Sequence, residues 1–308
     1  LQEGTLTFSG TNSAAIQIDI GGIELQSTLQ GDASFAGSVQ IFLSGDQTWV
    51  NNSARNLNMT SPVSGLGNLV LESPSSGVIS LVGSVNYAGS LLNRGSGFGT
   101  NTISGSIGTN VTSLTQQSSG SLLLSGDNAL TGSTTVTSGT LRLAGAGQNQ
   151  ALRSTAAISV ASGATLLLGT SDQVNNSAPI TLSGGTITRG SGVSEVFGNL
   201  NLTQASFLDY SGGAGGTVTF SGLSYAPSAL LPLQLVNFTQ GNSLVIQSTT
   251  DLSGYINTGF TFGGSGGFGG SSFSNNAFTI TAIPEASTCV AAIGLLGLML
   301  WPLLRRVS

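Results

Sequence analysis

The sequence predicts an all-β chain wound as a parallel β-helix, closed by an irregular β cap and followed by one C-terminal transmembrane helix. Three observations predict it. Short strands of alternating apolar and polar residues recur around glycine turns with a period of about 21 residues. Glycine supplies 46 of the 308 residues, with abundant Ser, Thr and Asn, so turn formers and β-formers dominate. No stretch before residue 286 carries helical periodicity, while the 39% apolar content is enough to drive collapse.

The first unit is Ile16-Gln17-Ile18-Asp19-Ile20, the turn Gly21-Gly22, and Ile23-Glu24-Leu25. Leu-Ser-Gly-Asp follows at residues 43–46 and recurs at 124–127. The clearest copies come next. Thr135-Val136-Thr137 leads through Ser138-Gly139 to Thr140-Leu141-Arg142-Leu143. Ile158-Ser159-Val160 and Ile180-Thr181-Leu182 each repeat the plan, turning at Gly163 and Gly184 into Thr165-Leu166-Leu167-Leu168 and Thr186-Ile187-Thr188. Leu200-Asn201-Leu202, Ala205-Ser206 and Phe207-Leu208 form a degenerate fourth copy. The near-even spacing of the turn positions Gly139, Gly163, Gly184 and Ala205 gives coils of about 21–24 residues. At about 22 residues per coil the body holds roughly 13 coils and rises about 60 Å at the spacing of paired strands. A β-sandwich is the alternative, but sandwiches rarely keep such a register.

The repeats are expected over residues 1–224. Beyond them, Tyr225-Ala226-Pro227 and Leu231-Pro232 break the pattern, and residues 233–238, 244–247 and 278–281 read as non-repeating strands that close the open end. The glycine-rich stretch 259–272 reads as a flexible loop or spacer, so residues 225–282 form the cap. No Lys-Ser/Thr follows those glycines, which removes a phosphate-loop reading.

Residues 283–308 form the terminal segment. Residues 286–304 carry no charge and would make a helix about 28 Å long, enough for one membrane span. Arg305 and Arg306 then stop the span on the cytoplasmic side and put residues 1–284 across the membrane. A buried core helix is the alternative; Gly294, Gly297 and Pro302 disfavour it in water. Cys289, the one cysteine, falls inside this segment, so no disulfide framework is expected. Leu1 follows no initiator Met or secretory segment, and the start is read as truncated or processed.

Ile283-Pro284-Glu285-Ala286-Ser287, the apolar run and the Arg-Arg end resemble, in that order, the PEP-CTERM sorting signal of bacterial exported proteins. That resemblance covers residues 283–308 and implies processing by an exosortase, a membrane protease-transpeptidase, at the motif Pro284, Glu285, Ala286. Ala286 stands where the family carries its second proline. Pro284 is expected to hold the motif extended, as entry into a protease cleft requires, with a proline at a helix start as the alternative. A second resemblance lies in the body. Residues 120–143, from Gly120-Ser121-Leu122-Leu123-Leu124-Ser125-Gly126-Asp127 to Leu143, look like the autotransporter-associated β-strand repeat, with Leu130 in place of its usual aromatic. It implies a right-handed β-helix used for display, adhesion or matrix structure, and it brings no catalytic residues.

Charge and chemistry narrow the function. Seven basic and 12 acidic residues make only 6% of the chain charged, against about 25% in ordinary domains. Lacking a basic stripe, the chain is not expected to bind nucleic acid. Histidine is absent, which removes Ser-His-Asp and Cys-His catalysis and imidazole zinc sites, and no cofactor or metal is expected. A β-helix glycoside hydrolase would want carboxylates about 5 to 9.5 Å apart on adjacent coils. Asp46 and Asp127 share a motif but stand several coils apart, and Asp172, Glu195 and Asp209 read as single acids. Arg142, Arg153 and Arg189 read as outward, solubilising residues. The expectation is a non-enzymatic exported surface or matrix protein, tethered by residues 286–304, with exopolysaccharide or envelope glycans as partners. The alternatives are a carbohydrate-active β-helix enzyme and a carbohydrate-binding adhesin. An exterior line of aromatics would support the adhesin, and Trp49, Tyr87 and Tyr210 do not decide it.

Overall fold

A computed structural model describes residues 6–10, 15–18, 21–37, 39–147, 151–224 and 228–283. Their strands build two long ladders. The first sheet has 12 strands, from Leu6–Gly10 to Phe260–Gly263, and the second has 16. Strands pair in parallel with the strand one coil earlier and one coil later. The step between partners varies along the first sheet, from the short one that joins Ser121 to Thr140 to the long one that joins Leu233 to Phe260. A chain that keeps returning to the same two sheets this way is a parallel β-solenoid. Its first ladder rises about 50 Å at the usual strand spacing.

The repeat copies fall in register. Thr140, Thr165, Thr186 and Phe207 are successive partners in the first sheet, and Ile158, Ile180 and Leu200 in the second. Gly139, Gly163 and Gly184 take φ of +62°, +75° and +82° at the turns between them. That left-handed backbone strains any residue with a Cβ, which is why the turns are marked by glycine. The repeated Leu-Ser-Gly-Asp does not mark one corner. Its first copy leaves strand Gln40–Ser44 of the second sheet, its second leaves strand Ser121–Leu124 of the first.

Period-2 alternation makes the core. Leu122, Leu141, Leu166, Ile187, Leu208 and Leu235 are successive partners, each with no exposed surface. Each buried side chain of this size contributes about 2 kcal/mol. A polar ladder runs inside as well. Asn101 accepts hydrogen bonds from the Ile79 N–H at 2.7 Å and the Ser73 hydroxyl at 3.1 Å, and donates to Asn93 Oδ1 at 2.7 Å. Asn93 donates in turn to Gln116 Oε1 at 2.6 Å. The bonds from Ile79 and to Gln116 cross to neighbouring rungs while the one to Asn93 stays within the coil, so each buried amide finds a partner.

The expected change of architecture after residue 225 does not occur there. Strands Leu233–Val236 and Asn242–Gln247 extend the two ladders in parallel, because Leu233, Leu235, Leu244 and Ile246 keep the inward alternation. Pro232 fits because it precedes the strand and needs no N–H, while its carbonyl accepts from Ser206 N–H at 3.0 Å. Among the described strands, ladder pairing turns antiparallel at the hairpin of Phe268–Ser274 and Ala277–Ala282. The glycine-rich stretch is not a loose spacer either. Phe260 is fully buried and lies 5.8 Å from Phe278 between ring centroids, and Phe262 lies 5.6 Å from Phe268, so the aromatics fix strands Phe260–Gly263 and Phe268–Ser274.

Among the described residues the one helix is the turn Ser253–Tyr255, and no helix is long and apolar enough to cross a membrane. The expected span 286–304, the stop Arg305-Arg306 and the motif Pro284, Glu285, Ala286 lie outside the described residues.

Candidate functional site

The interior polar groups gather where the chain changes direction. A parallel ladder leaves N–H groups unpaired at strand ends, and this chain meets them with side chains one coil later. Ile79 N–H donates to Asn101, Ile107 N–H to Asn128 at 2.8 Å, and Gly184 N–H to the Ser206 hydroxyl at 3.0 Å. Glu195 does the same with a carboxylate, accepting from Gln173 N–H at 2.7 Å and Val174 N–H at 3.3 Å.

Glu195 is the group that looks most like a catalytic acid. Burial pushes its carboxyl up to about 7, against the pull of the backbone N–H groups, and nearby Asp172 adds to the rise. Such a shift is what a general acid needs. Its surroundings point elsewhere: the residue is 1% exposed and both oxygens are held by the preceding coil. It acts as a strand-end acceptor.

Arg189 corrects an expectation. It does not face outward but sits fully buried in the column of Leu143 and Leu168, because position 189 has the inward parity of strand Thr186–Gly190. The guanidinium lies 4.7 Å from the Tyr210 ring centroid and donates to the carbonyls of Gly190 at 2.8 Å and Gly213 at 3.0 Å, and to Asn242 Oδ1. Its Nε has no partner among the described residues, and burial lowers its pKa below the usual arginine value. Tyr210 donates its hydroxyl to Ser243 O at 3.1 Å, and burial pushes its phenol up. Alternation from Ile187 to Arg189 was the signal that could have placed this arginine inside.

The other acids are dispersed. Asp46 accepts from Asn68 N–H at 2.7 Å, Glu72 pairs with Arg94 at 2.7 Å, and Asp127 pairs with the exposed Arg153 at 3.2 Å. Arg142 is exposed as expected. Among the described residues no three His, Cys, Asp or Glu gather to hold a metal. Trp49, Tyr87 and Tyr210 are buried in the core and offer no exterior platform. The exposed aromatics Phe42, Phe98, Phe207 and Tyr255 stand on separate strands and turns, while Phe268 and Phe273 share the hairpin strand Phe268–Ser274. Compared with protein families, curated proteins and solved structures, the chain matches none.

Proposed function

We propose that this chain is a non-enzymatic structural or adhesion protein, exported and carried at the cell surface or in the extracellular matrix. In this reading the solenoid winds right-handed, as nearly all parallel crossovers do. Residues 286–304 hold the precursor in the membrane, Arg305 and Arg306 stay in the cytoplasm, and an exosortase-like enzyme processes the chain near Pro284-Glu285-Ala286. Exopolysaccharide or envelope glycans are the surrounding partners.

The observation that carries the reading is the order of parts along the axis. Parallel rungs run to Phe260–Gly263, an antiparallel hairpin covers the second sheet's last rung, and its final strand Ala277–Ala282 ends just before Ile283-Pro284. A rod, a cap and a tail in that sequence suit a stiff element delivered from one end. The shielded position of Glu195 gives the enzymatic alternative little to work with. Mass spectrometry of the C-terminal peptide from native cells tests the proposal. A surface protein that has lost Arg305-Arg306 supports it; a mature protein still carrying them, in cells with an active sorting enzyme, overturns the processing step.

A further inference from the structure

We propose that the outer face of the first sheet, near its C-terminal end, binds a neutral glycan, with Phe207 as the stacking platform. This deepens the surface and matrix reading and takes its biological setting from it, by naming a ligand class and a place.

Two outward columns meet there. Thr186, Phe207 and Gln234 are successive register partners, and beside them run Thr188, Asp209, Val236 and Gly263. All of these but Thr188, together with Gly264, line an open groove of about 450 Å³. That volume lies in the range of small-ligand clefts. Its length crosses three rung steps, about 14 Å, so it is longer than one sugar ring.

The chemistry of the lining selects the ligand. Phe207 is 36% exposed, at a column position that earlier coils fill with Thr140, Thr165 and Thr186. The phenyl ring therefore faces outward where the fold asks for no aromatic. The amide of Gln234 lies across Gly263, where an added Cβ would come within 2.5 Å of Nε2, and it makes no hydrogen bond with any described residue. Asp209 is oriented by its neighbours. Its Oδ1 accepts from Ser211 N–H and Asn237 Nδ2, both at 2.9 Å, and its Oδ2 accepts from the Ser211 hydroxyl at 2.9 Å. A fixed carboxylate with spare lone pairs, a free amide and a threonine hydroxyl beside an exposed ring match a pyranose, which has an apolar C–H face and a rim of hydroxyls.

Other ligands fit less well. No cation lines the groove to balance Asp209, so an anionic polysaccharide meets a like charge. An apolar peptide would cover Gln234 and Asp209 without hydrogen-bonding them, which is unfavourable for buried polar groups.

Affinity gel electrophoresis of the purified full chain, in a detergent without a sugar head group, tests this. The probes are neutral β-glucan, α-glucan and galactomannan, with polygalacturonate as the anionic comparison. The expected result is retardation by at least one neutral polymer, weakened about tenfold by Phe207→Ala and also reduced by Gln234→Ala, with thermal melting of both variants unchanged. Absence of retardation by every neutral polymer, binding to polygalacturonate alone, or variants that bind as the parent does would overturn the proposal. The mass of the C-terminal peptide is read separately, so failure of the groove and failure of the sorting step are distinguishable.

Discussion

Replacing Glu195 by glutamine should change the sign of its effect on stability between acid and neutral pH. The folded carboxyl is pushed up to about 7 from an ordinary value of 4.5, first by burial. Between those values the folded chain keeps a proton that the unfolded chain has released. The stability linked to that proton is therefore fully present below about pH 4.5 and is lost as pH rises through about 7, an effect of about 3 kcal/mol. Glutamine does not titrate and escapes that loss. Its amide offers one acceptor and a donor-only nitrogen, where the carboxyl, protonated at about pH 4, still has lone pairs on two oxygens, so one backbone N–H goes unmet, and the longer bond from Val174 at 3.3 Å is the one to yield. Losing it costs about 1 kcal/mol. Glu195→Gln should then be about 1 kcal/mol less stable than the parent near pH 4 and about 2 kcal/mol more stable near pH 8. Urea unfolding followed by circular dichroism across that range measures the difference. A difference that stays constant with pH would show that Glu195 titrates as an ordinary surface acid, and the argument from burial would fall.

Two further substitutions probe the ladder. Asn101→Ala removes the shared partner of Ser73, Ile79 and Asn93 from inside the rod and should cost about 3 kcal/mol in the same urea assay; a loss below about 1 kcal/mol would mean the polar ladder does not carry the corner. Gly139→Ala and Gly163→Ala should differ although both backbones are left-handed. At Gly139 the new Cβ meets the carbonyl oxygens of Ser118 and Gly120, whereas at Gly163 nothing lies within 4 Å, so the second variant should lose only about 1 kcal/mol and the first clearly more, with equal melting temperatures speaking against the steric account.

The winding was legible because it depends on a signal that sequence carries directly. Inward Leu and Ile at alternate positions, with a glycine where the backbone must go left-handed, put Thr140, Thr165, Thr186 and Phe207 in one column. Continuation past residue 225 was obscured by Pro232 and by a longer step, since the path from Ser206 to Leu233 takes more chain than the path from Thr186 to Phe207. A changing coil length blurs a period even where alternation persists. Buried polar residues were harder to see. Asn101, Gln116 and Glu195 take inward positions, but a polar letter at an inward position looks like an outward one until the register is known. The groove needed three dimensions, since Phe207, Gln234 and Gly263 become neighbours only through pairing.

The side chains that fill the rod also change along its axis. The described hydrophobic core residues from Ile103 to Ile187 are entirely aliphatic, across first-sheet steps that run from the short one joining Ser121 to Thr140 to the longer one joining Thr140 to Thr165. Toward the C-terminal end the interior takes rings, Phe197 and Phe220, 5.6 Å apart, and Tyr210 and Phe238, 4.8 Å apart. Trp49 and Tyr87 are buried just as fully in coils of ordinary length near the other end, so rings enter wherever facing side chains leave room at native packing density. Arg189 belongs to the same change. It sits one rung before the longer coils, where Gly190 and Gly212 shift register, and its planar head stacks on Tyr210 while bonding the carbonyls of Gly190 and Gly213. The candidate glycan groove lies on the outside of this same stretch. The surface changes there along with the core: the outward column passes from threonine to Phe207 and Gln234 at the rungs where Tyr210 and Phe238 fill the interior.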